Sequence, residues 1–172
     1  KYLDRAECEV GHHLHVWSTP PFENPNEHHV DEKWIGGLQS ELPDCIFSEK
    51  MSRLHIAIER NYGVSPKCHR AGRWGIDART LCWLADNDYL VDSSICPEVS
   101  YSGIRGVTGK VCLDSAKAPN SPYVPDRMEI TRPALGDHNR VDILEVPVTA
   151  VSGDVLAQIH LRGQKVIRSI LY

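Results

Sequence analysis

Three of the nine histidines fall within four positions, in the stretch Gly11-His12-His13-Leu14-His15-Val16-Trp17. His13 and His15 stand two apart, so in an extended chain both imidazoles point to one face. Neutral imidazole is a common ligand for zinc and related divalent ions, and a converging pair supplies part of a metal site. Thr19-Pro20-Pro21 follows at once and stops a strand, because proline lacks a ladder N–H and constrains the residue before it. Exposed histidines that bind nothing are the plainer alternative. Leu14, Val16 and Trp17 interrupt the cluster in a way that a purification tag would not. His28 and His29 sit beside Pro25 and Asn26 and read as exposed loop residues.

Further chemistry is offered at two later points. Arg70 is followed by Gly72-Arg73-Trp74-Gly75, where the glycines permit positive φ or close approach of a substrate. Asp92 ends an apolar stretch and is followed by Ser93 and Ser94. Arg70 and Asp92 are the candidate catalytic residues, and Trp17, Arg73 and Trp74 could line a groove for a sugar ring. His13 and His15 are the candidate metal ligands. Each residue also has a structural alternative: Arg70 pairing with an acid, Asp92 closing a turn, the tryptophans filling a core.

The elements that must position these groups alternate in type. The histidine stretch from Gly11 to the stop at Thr19-Pro20-Pro21 reads as a strand, with Glu9-Val10 leading into it, and 48–62 as a helix with Ser48 as N-cap. Met51, Leu54, Ile58 and Tyr62 make its apolar stripe, His55 lies on or near that stripe, and Gly63 stands at C′. Residues 65–71 read as a short strand. A helix follows over 77–87, with Asp77 as cap and Leu81 and Leu84 inward. Two more strands are expected over 89–94 and 142–148. Residues 36–44 read as a polar linker. Strand and helix in alternation predict an α/β fold with parallel strands, whose carboxyl strand ends build the site. Residues 98–139, rich in Gly, Pro, Ser and Asn, read as a long irregular excursion with turns at Gly109 and Pro133. Residues 2–8 and 156–171 read as helical. Because the chain starts inside a helix and ends on an apolar run, it reads as one domain over 1–172 cut from a longer protein.

Composition narrows the function class. The 172 residues are 41% hydrophobic and 24% charged, as in globular domains, with formal net charge −4. No basic run suggests nucleic acid, and no apolar run approaches the ~20 residues of a membrane span. The six cysteines include no Cys-x-x-Cys pair and read as reduced thiols, Cys82 and Cys96 as buried small hydrophobes. The compartment and oligomeric state are not fixed by these features.

Several of these stretches together resemble one family. Glu9-Val10-Gly11-His12-His13-Leu14-His15 is similar to the histidine motif of the NodB-type polysaccharide deacetylases, carbohydrate esterase family four. His69 to Gly75 resembles that family's arginine motif. Tyr89-Leu90-Val91-Asp92-Ser93-Ser94 resembles the segment downstream of it. A bacterial branch with His-Leu-His-x-Trp followed by Thr-Pro-Pro, and a later Leu-Glu-Val-Pro-Val (here Leu144 to Val148), is nearest. The resemblance covers residues 3 to about 150. It implies a distorted (β/α) barrel of about seven strands and hydrolysis of N-acetyl groups on amino sugars of a polysaccharide. A divalent metal, zinc before others, is implied as cofactor, with Arg70 orienting an aspartate base. The sequence departs from the family in four ways. The paired-aspartate strand is expected upstream of Lys1, and Asp4 is not it. His160 lacks the context of the family's late histidine. Trp17 stands where a second ligand histidine would fall, leaving that role to His15. Ala71 or Gly72 replaces the proline of the arginine motif. A non-catalytic glycan-binding domain on the same scaffold is the second expectation, and a metallohydrolase for another amide or ester the third.

Overall fold

A computed structural model describes residues 8–23 and 30–149. The helices expected over 2–8 and 156–171 lie essentially outside the described residues, as do His28, His29 and His160.

Three short parallel strands make the sheet: β1 (Cys68–His69), β2 (Val91–Asp92) and β3 (Leu144–Glu145), in the order β1-β2-β3. Their register sets His69 opposite Asp92 and Asp92 opposite Glu145. Hydrogen bonds run past the formal ends, Ser93 N–H donating to His69 O and Val146 N–H to Asp92 O. The histidine segment joins the same sheet. His12 bridges His69 in parallel, His12 N–H reaching Cys68 O at 2.8 Å and Arg70 N–H reaching His12 O at 3.0 Å. The fold is therefore mixed α/β with a parallel sheet, as expected, but the described residues do not close a barrel.

Helix α1 spans Asp44–Tyr62 and α2 spans Ala78–Asp86. Helix α1 begins four residues ahead of the expected Ser48, which lies exposed inside it; Pro43 occupies the cap position and accepts from Phe47 N–H at 2.8 Å. The earlier start lets the first turn bury Phe47 with Met51 and Ile58. Gly63 ends the helix at φ 69°, the left-handed conformation that favours glycine at C′. Helix α2 has the expected cap: Asp77 Oδ1 accepts from Thr80 N–H at 2.9 Å. Its Leu81 and Leu84 are fully buried. His55 is half-buried, its Nδ1 2.8 Å from Tyr89 Oη.

The stretch expected as a polar linker over 36–44 is instead partly buried. Residues 32–42 form two 3-10 turns whose Trp34, Leu38 and Leu42 enter the core beside Leu14, Val16 and Met51. Their spacing of four residues, read as loop because of the glycines between, buries one side of the segment. Glu41 then reaches across to the excursion, accepting from Val107 N–H, Thr108 N–H and Thr108 Oγ1–H at 3.1, 2.7 and 2.6 Å. The excursion holds small antiparallel bridges, Arg105 with Val111 around Gly109 at φ 86°, and Pro125 with Pro133. All six cysteines are free thiols; Cys96 is buried and Cys82 half-buried.

Candidate functional site

Alternation along the histidine segment sorts its side chains. His12, Leu14 and Val16 are buried, whereas His13 is exposed and His15 half-buried. His13 and His15 converge as their spacing predicts, Nε2 to Nε2 at 3.0 Å with ring centroids 4.7 Å apart. His13 Nδ1 lies 2.7 Å from the Arg70 carbonyl oxygen. A carbonyl only accepts, so Nδ1 carries the proton, and in the neutral ring Nε2 keeps its lone pair. That is the arrangement by which a ligating histidine is usually fixed. Burial lowers the pKa of His15, with further lowering from His13 and Arg73, which favours the neutral form that ligates. Two nitrogens at about 2.0–2.1 Å from one ion stand roughly 3 Å apart, so the pair fits as two ligands of a metal. Among the described residues no set of three or more His, Cys, Asp or Glu side chains could hold one.

Close packing sets where His15 stands. A Cβ on Gly72 would collide with the Leu14 carbonyl oxygen and meet His15 Nδ1 at 3.3 Å. Gly72→Ala is therefore expected to push the histidine segment away from the 3-10 turn Gly72–Trp74. The cost is about 1–3 kcal/mol of overpacking, read by urea unfolding; an unchanged midpoint would show that the segment yields freely.

The loop after the histidines is tied down by a buried lysine. Lys50, on α1, is fully buried and donates from Nζ to Thr19 O and Pro21 O, both at 2.6 Å, with Asp31 Oδ2 at 3.9 Å. Asp31 N–H in turn holds Trp17 O at 2.7 Å. Trp17 is half-buried, its ring centroid 4.6 Å from that of His15.

The remaining sequence-expected residues divide into two groups. Arg70 is exposed beside His13; its Nε donates to Ser93 O at 3.1 Å and its guanidinium carbon lies 6.0 Å from the Trp74 ring centroid. Arg73 and Trp74 both adopt positive φ, 52° and 58°, in the turn where the glycines suggested unusual backbone. Trp74 stacks on Tyr101 of the excursion, centroids 5.2 Å apart and planes 16° from parallel, so one face of its ring is covered. Asp92, by contrast, does not stand at the rim. It is fully buried, accepting from His69 Nδ1–H at 2.5 Å, Ser94 Oγ–H at 2.8 Å and Ser94 N–H at 3.1 Å. The register explains this: it seats Asp92 between His69 and Glu145 rather than at an open strand end.

His12, His69, Asp92 and Glu145 thus form one buried ionisable row across the sheet. Burial, with the neighbouring His69, drives His12 down to about 3, so its ring is neutral. Burial works to raise Asp92, but the hydrogen bond and charge of His69 outweigh it and hold the carboxyl low. Burial and the charge of Asp92 push Glu145 up to about 10, so its carboxyl is protonated. Asp92 thereby serves as the row's anion. Only Asp92 of this row was legible as a functional candidate. The others were hidden because the signal that unites them is register between strands far apart in sequence. A cleft of about 340 Å³ lies along the histidine edge, lined by Gly11, His12, His13, Cys68, His69, Arg70 and Ser93.

No family model matches the chain, and no curated protein matches it. A solved structure to which it is similar is a putative polysaccharide deacetylase from Mycobacterium smegmatis, at 20% identity and TM-score 0.45. The likeness covers 86% of this chain and 34% of that one, so the chain spans about a third of that protein's length. No helix among the described residues is long and apolar enough to cross a membrane.

Proposed function

We propose that this chain carries part of the site of a zinc-dependent deacetylase that removes N-acetyl groups from amino sugars of a polysaccharide or its precursor. The proposal includes the barrel that the sequence resemblance implies, with the open parallel sheet as one arc of it. One observation carries the reading: two imidazoles converge through Nε2, and one of them has its other nitrogen fixed by a backbone carbonyl. His13 and His15 would hold the metal. When bound, zinc supplies Lewis acidity toward a carbonyl oxygen and lowers the pKa of water. Among the described residues the Arg70 side chain hydrogen-bonds only through Nε. Its terminal amines are thereby left to orient a carboxylate, the base that the resemblance calls for. Trp17, Arg73 and the uncovered side of Trp74 would shape the groove for the sugar.

A glycan-binding domain without catalysis is the second reading. It is favoured by one observation, that no carboxylate joins the two histidines among the described residues. The two readings separate in one experiment. Zinc titration of the full chain is expected to show binding that weakens at least about tenfold in His13→Ala. Acetate release from an N-acetylated chito-oligosaccharide, measured on a protein that includes the aspartate strand expected upstream of Lys1, is expected to fall with it. Zinc binding without acetate release favours the second reading, and absence of zinc binding removes the first.

A further inference from the structure

We propose that Asp92 and Ser94 act together as positioning residues that set the tautomer of His13. The consequence for zinc rests on the function proposed above; the tautomer itself does not. The argument begins with the way segment 92–94 grips segment 69–71. Asp92 takes the His69 Nδ1–H at 2.5 Å. Ser93 N–H donates to His69 O at 2.9 Å, and Ser93 O accepts from Arg70 Nε at 3.1 Å. Ser94 Oγ accepts from Ala71 N–H at 2.8 Å, and its own O–H donates to Asp92 Oδ1 at 2.8 Å. Residues 69, 70 and 71 are therefore each held from the same side, and Asp92 is the charge on which two of those contacts end.

Arg70 is the residue so bracketed. Its amide is used by His12 O at 3.0 Å, and its carbonyl meets His13 Nδ1 at 2.7 Å. The carbonyl's direction decides which nitrogen of His13 is protonated, since an acceptor there admits only the Nδ1–H form. A free imidazole side chain prefers the other tautomer, with the proton on Nε2, where it would block the lone pair facing His15. Hydrogen bonds in a chain polarise one another, so the Asp92 carboxylate strengthens the hold of Ser94 on Ala71. The buried pair thus reaches His13 without touching it.

The test is long-range proton–nitrogen NMR of the His13 ring in the full chain, with zinc titration beside it. Ser94→Ala is the main variant, because it deletes one hydroxyl and no charge. The wild type is expected to show the proton on Nδ1, and Ser94→Ala a mixture of tautomers with zinc bound roughly tenfold more weakly. Ser94→Thr, which keeps the hydroxyl, is expected to restore the Nδ1–H form. Ser115→Ala is the structural control: its hydroxyl is equally buried but serves Cys96. A folded Ser94→Ala whose His13 tautomer is unchanged would overturn the proposal, as would an equal shift in Ser115→Ala. A tautomer shift in a protein that binds no zinc would support it while removing the zinc reading. Asp92→Asn is expected to give at least as large a shift where it folds.

Discussion

Lys50→Met is expected to lower the free energy of unfolding by about 3–5 kcal/mol, the loss seen when one partner of a buried ion pair is removed. The ammonium is fully buried, and three oxygens depend on it: the carbonyls of Thr19 and Pro21 and the carboxylate of Asp31. Methionine fills most of the stem's volume, so the loss reports on those oxygens rather than on a cavity. Asp31 is itself almost wholly buried and, with Lys50 gone, keeps among the described residues only the Glu23 N–H at 3.2 Å. Adding Asp31→Asn removes the stranded charge, and the double variant is expected to recover a good part of the loss. Chemical denaturation of the four proteins of this cycle measures it. A loss below about 1 kcal/mol in Lys50→Met would mean that water reaches Asp31 and the carbonyls as well as the lysine does. Because Asp31 N–H also holds the Trp17 carbonyl, the single variant should disturb the loop that follows His15 as well as the stability.

The elements legible in the sequence were those whose signals are local. Asp77 followed by Leu81 and Leu84 announced α2, cap and buried face together, because a helix brings residues three and four apart onto one side. His13 and His15 were legible for the matching reason: two-residue alternation alone makes their rings converge. Short stretches at 65–71, 89–94 and 142–148, set between helices and turn residues, marked the parallel strands, although the formal ladder is only two residues long in each. Signals that depend on distant partners were not legible. Lys50 looks like any charged helix residue until a loop some thirty positions earlier turns its carbonyls toward it. Leu38 and Leu42 fall inside the stretch read as a polar linker, and with Trp34 just ahead of it they enter a core that only α1 and the histidine segment supply.

The candidate site divides along the same line. Arg70 was expected to bring its guanidinium to the histidines, whereas the contact it makes with His13 is through its backbone oxygen, which no side-chain pattern reveals. Trp74 was expected to offer a flat face, and Tyr101, from a segment with no periodicity, covers one side of it. Asp92 drew notice as an acid at the end of a strand. Register converted it into the anion of a buried row, where it organises its neighbours instead of meeting solvent.

Glu145 gives that row a consequence for stability that can be measured against pH. Burial and the nearby Asp92 charge raise its carboxyl from 4.5 in the unfolded chain to about 10 in the fold. Between those values the native protein binds one more proton than the unfolded one, so stability falls as pH rises. Below pH 6.5 the shift of His12 runs the other way, since its native ring stays neutral down to about 3. Above 6.5 His12 is neutral in both states, and the Glu145 contribution stands clear of it. From pH 7 to 9 that contribution alone amounts to about 1.4 kcal/mol per pH unit, or roughly 2.7 kcal/mol in all. Glu145→Gln keeps the shape and a neutral head, and its Oε1 can still accept from Ile95 N–H, a bond of 3.0 Å in the native protein. The variant is expected to match the wild type near pH 5 and to exceed it progressively toward pH 9. Urea midpoints of both proteins across this range provide the comparison, titrating groups remote from the row cancelling in the difference. Parallel curves would place a charged Glu145 in the fold. The row would then carry two buried carboxylates side by side, with His69 and the N–H groups of Ser94 and Ile95 left to hold both charges.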